Sequence, residues 1–124
     1  MEKPRCNGQW TEARFRSFIV SLLRKGTQRW GPKNSVFKKA RVDRGKYLCN
    51  MCKQVHPVTK MINGSRKRNI FVDHIDPVID PKVGFVDWTT YIERMFVEEN
   101  GLQVLCKECH DKKTLFEKSI SKER

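Results

Sequence analysis

No apolar run in this 124-residue chain approaches the roughly 20 residues needed to cross a bilayer. The opening Met1-Glu2-Lys3-Pro4-Arg5-Cys6 has no apolar core of the kind a secretion signal carries. Both absences argue against a membrane or exported protein, so a cytoplasmic location is expected. Internal repeats and low-complexity tracts are missing too, which excludes a solenoid. Acidic residues are scarce at the start: residues 1–48 carry only Glu2, Glu12 and Asp43 against 13 Lys/Arg. The remainder has 11 acids against 13 bases, so the first part holds nearly all of the net charge of +12. A basic half joined to a balanced half suits a face that meets a polyanion, nucleic acid before an acidic membrane surface or plain solvation. Histidine is rare as well, with only His56, His74 and His110.

A chain this short is expected to form one domain overall, with a limited core that calls for a staple beyond hydrophobic packing. The mean hydropathy of −0.67 fits a polar surface. Phe15, Phe18, Ile19, Leu22 and Leu23 recur at helical spacing, predicting a core-packed helix over 11–25 that ends at Gly26. Gly31-Pro32 reads as a break, and residues 33–46 as a basic run with few apolar anchors. The expected division is a basic, helical N-terminal extension over residues 1–46 and a core over 47–124.

Residues 53–68 read as turns and short extended pieces, with Asn63-Gly64 a hairpin turn. Ile70-Phe71-Val72 predicts a strand. Trp88, Tyr91, Ile92, Met95 and Phe96 predict a helix over 88–97, capped by Asp87 or by a Thr90/Glu93 box. Leu102–Leu105 predicts a half-buried strand, and a last helix follows with Leu115, Phe116 and Ile120 as its packing residues. The fold class is α+β.

Five cysteines in a chain without an export signal point to metal coordination rather than disulfides. Cys49-x-x-Cys52 and Cys106-x-x-Cys109 match the paired spacing of a tetrahedral zinc site. The 53 residues between the pairs mean that one ion closes a large loop. Four thiolates would fill the coordination sphere, so a structural zinc is expected; the alternative is that one pair is redox-active or simply buried. Cys6 lacks a partner and is expected to be a free thiol.

Asp73-His74 closes the first strand, and His110 directly follows Cys109, rotated about 100° from it on a helix. An acid and two histidines near a strand–helix junction can supply a general base and hold a divalent cation, both of which phosphodiester hydrolysis needs. The alternatives are structural histidines, or His110 as a spare zinc ligand. His56 lacks an acidic neighbour and reads as structural. Asp76 reads either as an orienting group or as a turn former.

Taken together, Cys49-x-x-Cys52, Val72-Asp73-His74-Ile75 and Asn100-Gly101-Leu102-Gln103-Val104-Leu105-Cys106-x-x-Cys109-His110-x-Lys112-Lys113-Thr114 resemble the HNH endonucleases, particularly the short versions from tailed bacteriophages. The similarity spans roughly residues 47–116, with Trp30 and the Trp88–Phe96 insert also similar to phage members. The resemblance implies a ββα-metal (His-Me finger) core. In it His74 is the general base, Asp73 and His110 hold Mg²⁺, Mn²⁺ or another divalent ion, and Asn100 braces the loop between the strands. The family's Asn commonly stands directly before Leu-Gln, whereas Gly101 intervenes here, so Asn100 is either that brace or a turn residue. Adjacent strand residues point to opposite faces, so Asp73 and His74 can serve one phosphate only where the strand ends or bends.

Candidate phosphate contacts are Lys38, Lys39, Arg41 and Arg44 in the basic run, Arg66, Lys67 and Arg68 before the catalytic strand, and Lys112 and Lys113 after His110. The leading expectation is a DNA endonuclease that nicks DNA or cuts both strands. A zinc-stabilised DNA-binding module that does not cut is the second reading. A protein-binding adaptor attached to a phage packaging (terminase) machine is the third.

Overall fold

Thr11 accepts a hydrogen bond from the Arg14 amide and so caps a helix, α1 (Glu12–Gly26), in the computed structural model, which describes residues 1–124. Residues Met1–Trp30 form one unit and Gly31–Arg124 a second. In the first, Cys6, Asn7 and Gly8 turn the chain with positive φ so that Arg5 bridges Trp10. Arg5 then pairs with Glu12 at 3.1 Å and lies over the Phe15 ring, while Trp10 meets Phe18 edge-on at 5.2 Å. No residue of this unit is buried, and Phe18 and Leu22 stand 44% and 49% exposed. The expected core stripe is therefore only partly covered: Phe15, Ile19 and Leu23 are half-buried, and Phe18 and Leu22 are exposed. Within Met1–Trp30 there is no second layer to cover it.

The second unit begins earlier than residue 47. Gly31-Pro32 opens a helix, α2 (Gly31–Lys39), rather than breaking the chain. Proline is tolerated in a helix's first turn, where no amide donor is required. Val36, Phe37 and Ala40 anchor α2 and its exit to the buried cluster, and three anchors are enough to fold the basic run into this unit.

Strands β1 (Arg41–Asp43), β2 (Lys46–Leu48) and β3 (Val55–Pro57) form an antiparallel sheet in that order. Phe37 stacks on Tyr47 of β2 at 4.4 Å. Strands β4 (Thr59–Ile62) and β5 (Ser65–Arg68) form the hairpin expected at Asn63-Gly64, whose φ values of 50° and 80° suit a type I′ turn. Lys60 lies directly opposite Lys67, and no acid occurs anywhere between Cys52 and Asp73.

The centre of the unit is an antiparallel pair, β6 (Ile70–His74) and β7 (Leu102–Cys106), in register from Ile70↔Cys106 to His74↔Leu102. β7 is more buried than expected: Leu102, Val104, Leu105 and Cys106 are all inside, and only Gln103 is not. Between the two strands the chain makes a long excursion containing α3 (Trp88–Met95), capped by Asp87 rather than by Thr90 and Glu93. Arg94 of α3 donates to the carbonyls of Pro77 and Val78 and pairs with Asp76, fixing the turn that follows β6. Asp76 thus serves the turn.

The last helix, α4 (Lys107–Lys122), packs against β6 and β7. Its inward row is Cys109, His110, Lys113, Glu117 and Ile120. Leu115 and Phe116, expected to pack, are 67% and 66% exposed. They lie off the row that Cys109 fixes. Asn69 is the only buried polar residue: its side chain donates to Pro57 O and its backbone joins Val58 to Lys107.

Candidate metal centre and adjoining polar site

Between β2 and β3 the chain doubles back through Cys49–Cys52. The Cys49 amide donates to Gln54 O, the Lys53 amide donates to Cys49 O, and Lys53 takes a left-handed φ of 61°. This knuckle presents two sulfurs on one side. The other pair sits where β7 runs into α4, Cys106 ending the strand and Cys109 in the first turn of the helix. The Asn50 amide donates to Val104 O at 2.8 Å and pins the knuckle to β7.

All four Sγ atoms lie within 4.8 Å of one another, and Cys49, Cys106 and Cys109 are buried. A tetrahedron with Zn–S bonds of about 2.3 Å has edges of about 3.8 Å, inside that limit. The four cysteines are positioned to bind a metal ion, and an all-sulfur donor set fits zinc. Cys6 is exposed and free, as expected.

The electrostatics of the cluster agree. Burial pushes the Cys49 thiol up, but the amides of Cys52, Cys106 and Met51 and the Cys52 thiol outweigh it and bring Cys49 down to about 6. Burial, and then the neighbouring sulfurs Cys106 and Cys49, push Cys109 up to about 12, and burial raises Cys106 as well. Cys49 can hold charge, while Cys106 and Cys109 resist it. A divalent cation removes that conflict. His56 Nε2 lies 3.3 Å from Cys52 Sγ, so in the tautomer that carries hydrogen there it donates to the sulfur.

Beside this cluster, the end of β6 carries the predicted acid and histidine. Paired strand residues share a face, so Phe71, Asp73, Leu105 and Gln103 lie on one side and Ile70, Val72 and His74 on the other. α4 covers the first side: the His110 ring stacks on Phe71 at 4.7 Å, and Lys113 Nζ reaches Asp73 Oδ2 at 3.1 Å. Arg68 lies over the same Phe71 ring at 5.4 Å. Asp73 and His110 are thus brought to one face.

His74 points the other way. Its Nε2 meets Met95 O at 2.7 Å, and β6 ends at this residue. Asn100 is exposed in a turn of 3₁₀ helix (Glu99–Gly101). The brace expected of it is made by backbone groups instead, Met95 O holding His74 and Gly101 O accepting from the Ile75 amide at 3.0 Å. A side chain on Gly101 would meet Val97 at 2.9 Å, which accounts for the glycine there.

The predicted phosphate contacts divide. Arg66, Lys67 and Arg68 are exposed on β5, although Arg66 reaches Thr59 and Arg68 donates to Ile70 O. Lys112 is exposed and pairs with Glu108. Lys39 pairs with Glu99 at 2.8 Å but stays 72% exposed. Lys38 and Arg41 line an open surface depression with Tyr47, and Arg44 sits in the β1–β2 turn.

Lys113 differs from all of these. Its side chain is 14% exposed, and its ammonium meets Asp73, Glu117 and the His74 carbonyl, so it is committed inside the fold rather than offered to phosphate.

The chain matches no family model, no curated protein and no solved structure. The site stands on its own geometry.

Gln103 and Glu117 escaped the sequence reading, as did the carbonyl of Met95. Only Glu117 left a signal, its i,i+4 spacing from Lys113 on a helix.

Proposed function

We propose that this protein is a metal-dependent DNA endonuclease of the HNH type, whose β6, β7 and α4 serve as the ββα-metal core and whose zinc is structural. The observation that carries this reading is the His74 imidazole held by Met95 O at the end of β6, next to Asp73. In the tautomer that donates from Nε2, Nδ1 keeps its lone pair and can take a proton from water. A ring fixed in this way loses little freedom when it acts as a base.

Asp73 and His110, carboxylate and imidazole on one face, would hold a divalent ion, Mg²⁺ or Mn²⁺, with phosphate and water completing its shell. Bound there, the ion would offset charge on the phosphate and on the departing 3′ oxygen. DNA is the proposed substrate. The like-charged Lys60↔Lys67 pair and the run of Arg66, Lys67 and Arg68 carry positive charge that the hairpin does not neutralise, which suits a phosphate backbone.

The test is cleavage of supercoiled plasmid with Mg²⁺ or Mn²⁺ by the zinc-loaded chain and by His74→Ala. Loss of a general base lowers the rate by about 10²–10⁴-fold. If the wild-type chain binds DNA but does not cut it whichever divalent ion is supplied, the endonuclease reading falls. One observation favours the second reading, a zinc-stabilised DNA-binding module that does not cut. The Asp73 carboxylate is already paired with Lys113, as it would be in a site with no need of a cation. A phage origin and a packaging (terminase) partner rest on the motif resemblance alone.

A further inference from the structure

A chain of hydrogen bonds runs from the cysteine knuckle to Asp73. Asn50, between Cys49 and Cys52, donates from Nδ2 to Gln103 Oε1 at 2.9 Å. Gln103 in turn donates from Nε2 to Asp73 Oδ2 at 3.1 Å. The amide orientations are consistent along the chain, each residue using its nitrogen toward the next oxygen. From the opposite side, Lys113 Nζ reaches the same Oδ2 at 3.1 Å.

That ammonium has three hydrogens and three acceptor groups: Asp73, the His74 carbonyl at 3.0 Å and Glu117 at 3.0 Å. It is saturated. Both donors converge on Oδ2 and leave Oδ1 of Asp73 outside the network. Two carboxylates share one ammonium here, so the group retains a net negative charge.

We propose that Gln103 and Lys113 are positioning residues that clamp Asp73 by Oδ2, so that Oδ1 is the oxygen presented to a divalent ion. The clamp rests on the endonuclease reading above and adds to it the way the carboxylate is aimed. Gln103 transmits the position of the metal knuckle. Lys113 ties Asp73 and the His74 backbone to α4, so one side chain holds both partners of the reaction at the strand's end. Removing either donor lets the carboxylate turn about its terminal bond, but only the loss of Lys113 also removes a positive charge that opposes a second cation.

Two variants therefore separate aim from charge: Gln103→Leu and Lys113→Met, each made in the full zinc-loaded chain. The measurements are the melting temperature, the zinc content, Mn²⁺ binding by calorimetry and plasmid cleavage as a function of Mn²⁺ concentration. Loss of an outer hydrogen bond to a metal ligand costs 10–100-fold in affinity or activity. With fold and zinc retained, Gln103→Leu is expected to weaken Mn²⁺ binding about 10-fold. Lys113→Met is expected to cut at least about 10-fold more slowly while binding Mn²⁺ no more weakly than the wild type. A merely structural role would move stability and leave this split absent.

If both variants bind Mn²⁺ and cut like the wild type, the clamp is overturned and the endonuclease reading survives. If the wild type neither binds Mn²⁺ nor cuts, that reading falls and takes the clamp with it. Should either variant lose its fold, Asn50→Ala and Glu117→Gln loosen the same chain from its outer ends. Unchanged cleavage in both of those overturns the clamp as well.

Discussion

Removing the metal from the four-cysteine cluster should unfold most of the Gly31–Arg124 unit, and the size of the effect follows from the chain. An ion held there would join Cys49 and Cys52 to Cys106 and Cys109 across 53 intervening residues. Closing a loop of that length without a cross-link costs about 4 kcal/mol in chain entropy. Packing replaces little of it, because half of the buried cluster of Cys49, Ile70, Val104, Leu105, Cys106 and Cys109 is cysteine, and the hydrophobics packed against it are only partly buried. Against a typical stability of about 5–15 kcal/mol this loss is large. In a domain of 60–100 residues it corresponds to a fall in Tm of roughly 16–30 °C. The assay is a thermal melt before and after chelation, with released zinc counted by a colorimetric chelator at one ion per chain. Cys6→Ser, at an exposed position, should leave the stoichiometry and the melt unchanged. A chain purified without metal, or a demetallated chain melting within a few degrees of the loaded one, would refute the reasoning.

Three other perturbations test the fold that carries the site. Asn69→Ala removes the donor to Pro57 O at a nearly closed position, and denaturant melts should show a loss of about 1–3 kcal/mol; a change below about 0.5 kcal/mol would contradict its role as a tie. Tyr91 buries its hydroxyl with no hydrogen-bond partner, so Tyr91→Phe should match or exceed the wild type in stability, by up to about 1–2 kcal/mol, and a clear loss would reveal an unseen partner. Asp87 is held below the usual carboxylate range by the Thr90 amide and hydroxyl. Its pKa being lower in the folded chain, the stabilisation of α3 is fully present above the unfolded value and is lost as pH falls through the folded one. Acid titration should therefore lower the Tm of the wild type more than that of Asp87→Asn.

The features legible in the sequence were those set by short spacings. Two C-x-x-C pairs, the Asn63-Gly64 turn and the Trp88–Met95 periodicity each depend on residues a few positions apart, and each falls where expected. Asp76, readable as a turn former, does lie in the turn after β6, paired with Arg94. What escaped depends on partners distant in sequence. The basic run after Gly31-Pro32 gave no periodic signal because three anchors, Val36, Phe37 and Ala40, suffice against a core supplied by β6 and β7. Leu115 and Phe116 read as packing residues, yet Cys109 fixes which side of α4 faces in, and that side is polar. Lys113 was counted among surface charges because nothing local reveals that Asp73, 40 positions earlier, lies against it.

The two clusters on this unit are not independent, and their order along the chain explains why. Gln103, Cys106, Cys109, His110 and Lys113 occur within 11 consecutive residues, on one strand and the first two turns of the helix that follows. Any displacement of the sulfurs at that junction must move His110 off Phe71 and Lys113 off Asp73, since an α-helix is stiff over two turns. Asn50 makes the same connection from the other cysteine pair, through its amide to Val104 and its side chain to Gln103. A metal ion held by the four cysteines can therefore govern the geometry of Asp73 and His110. Zinc removed by graded chelation should abolish Mn²⁺ binding in step with zinc release, well before heat unfolds the remaining loaded molecules. Mn²⁺ binding that outlasts zinc loss would show that the polar site is built without the knuckle.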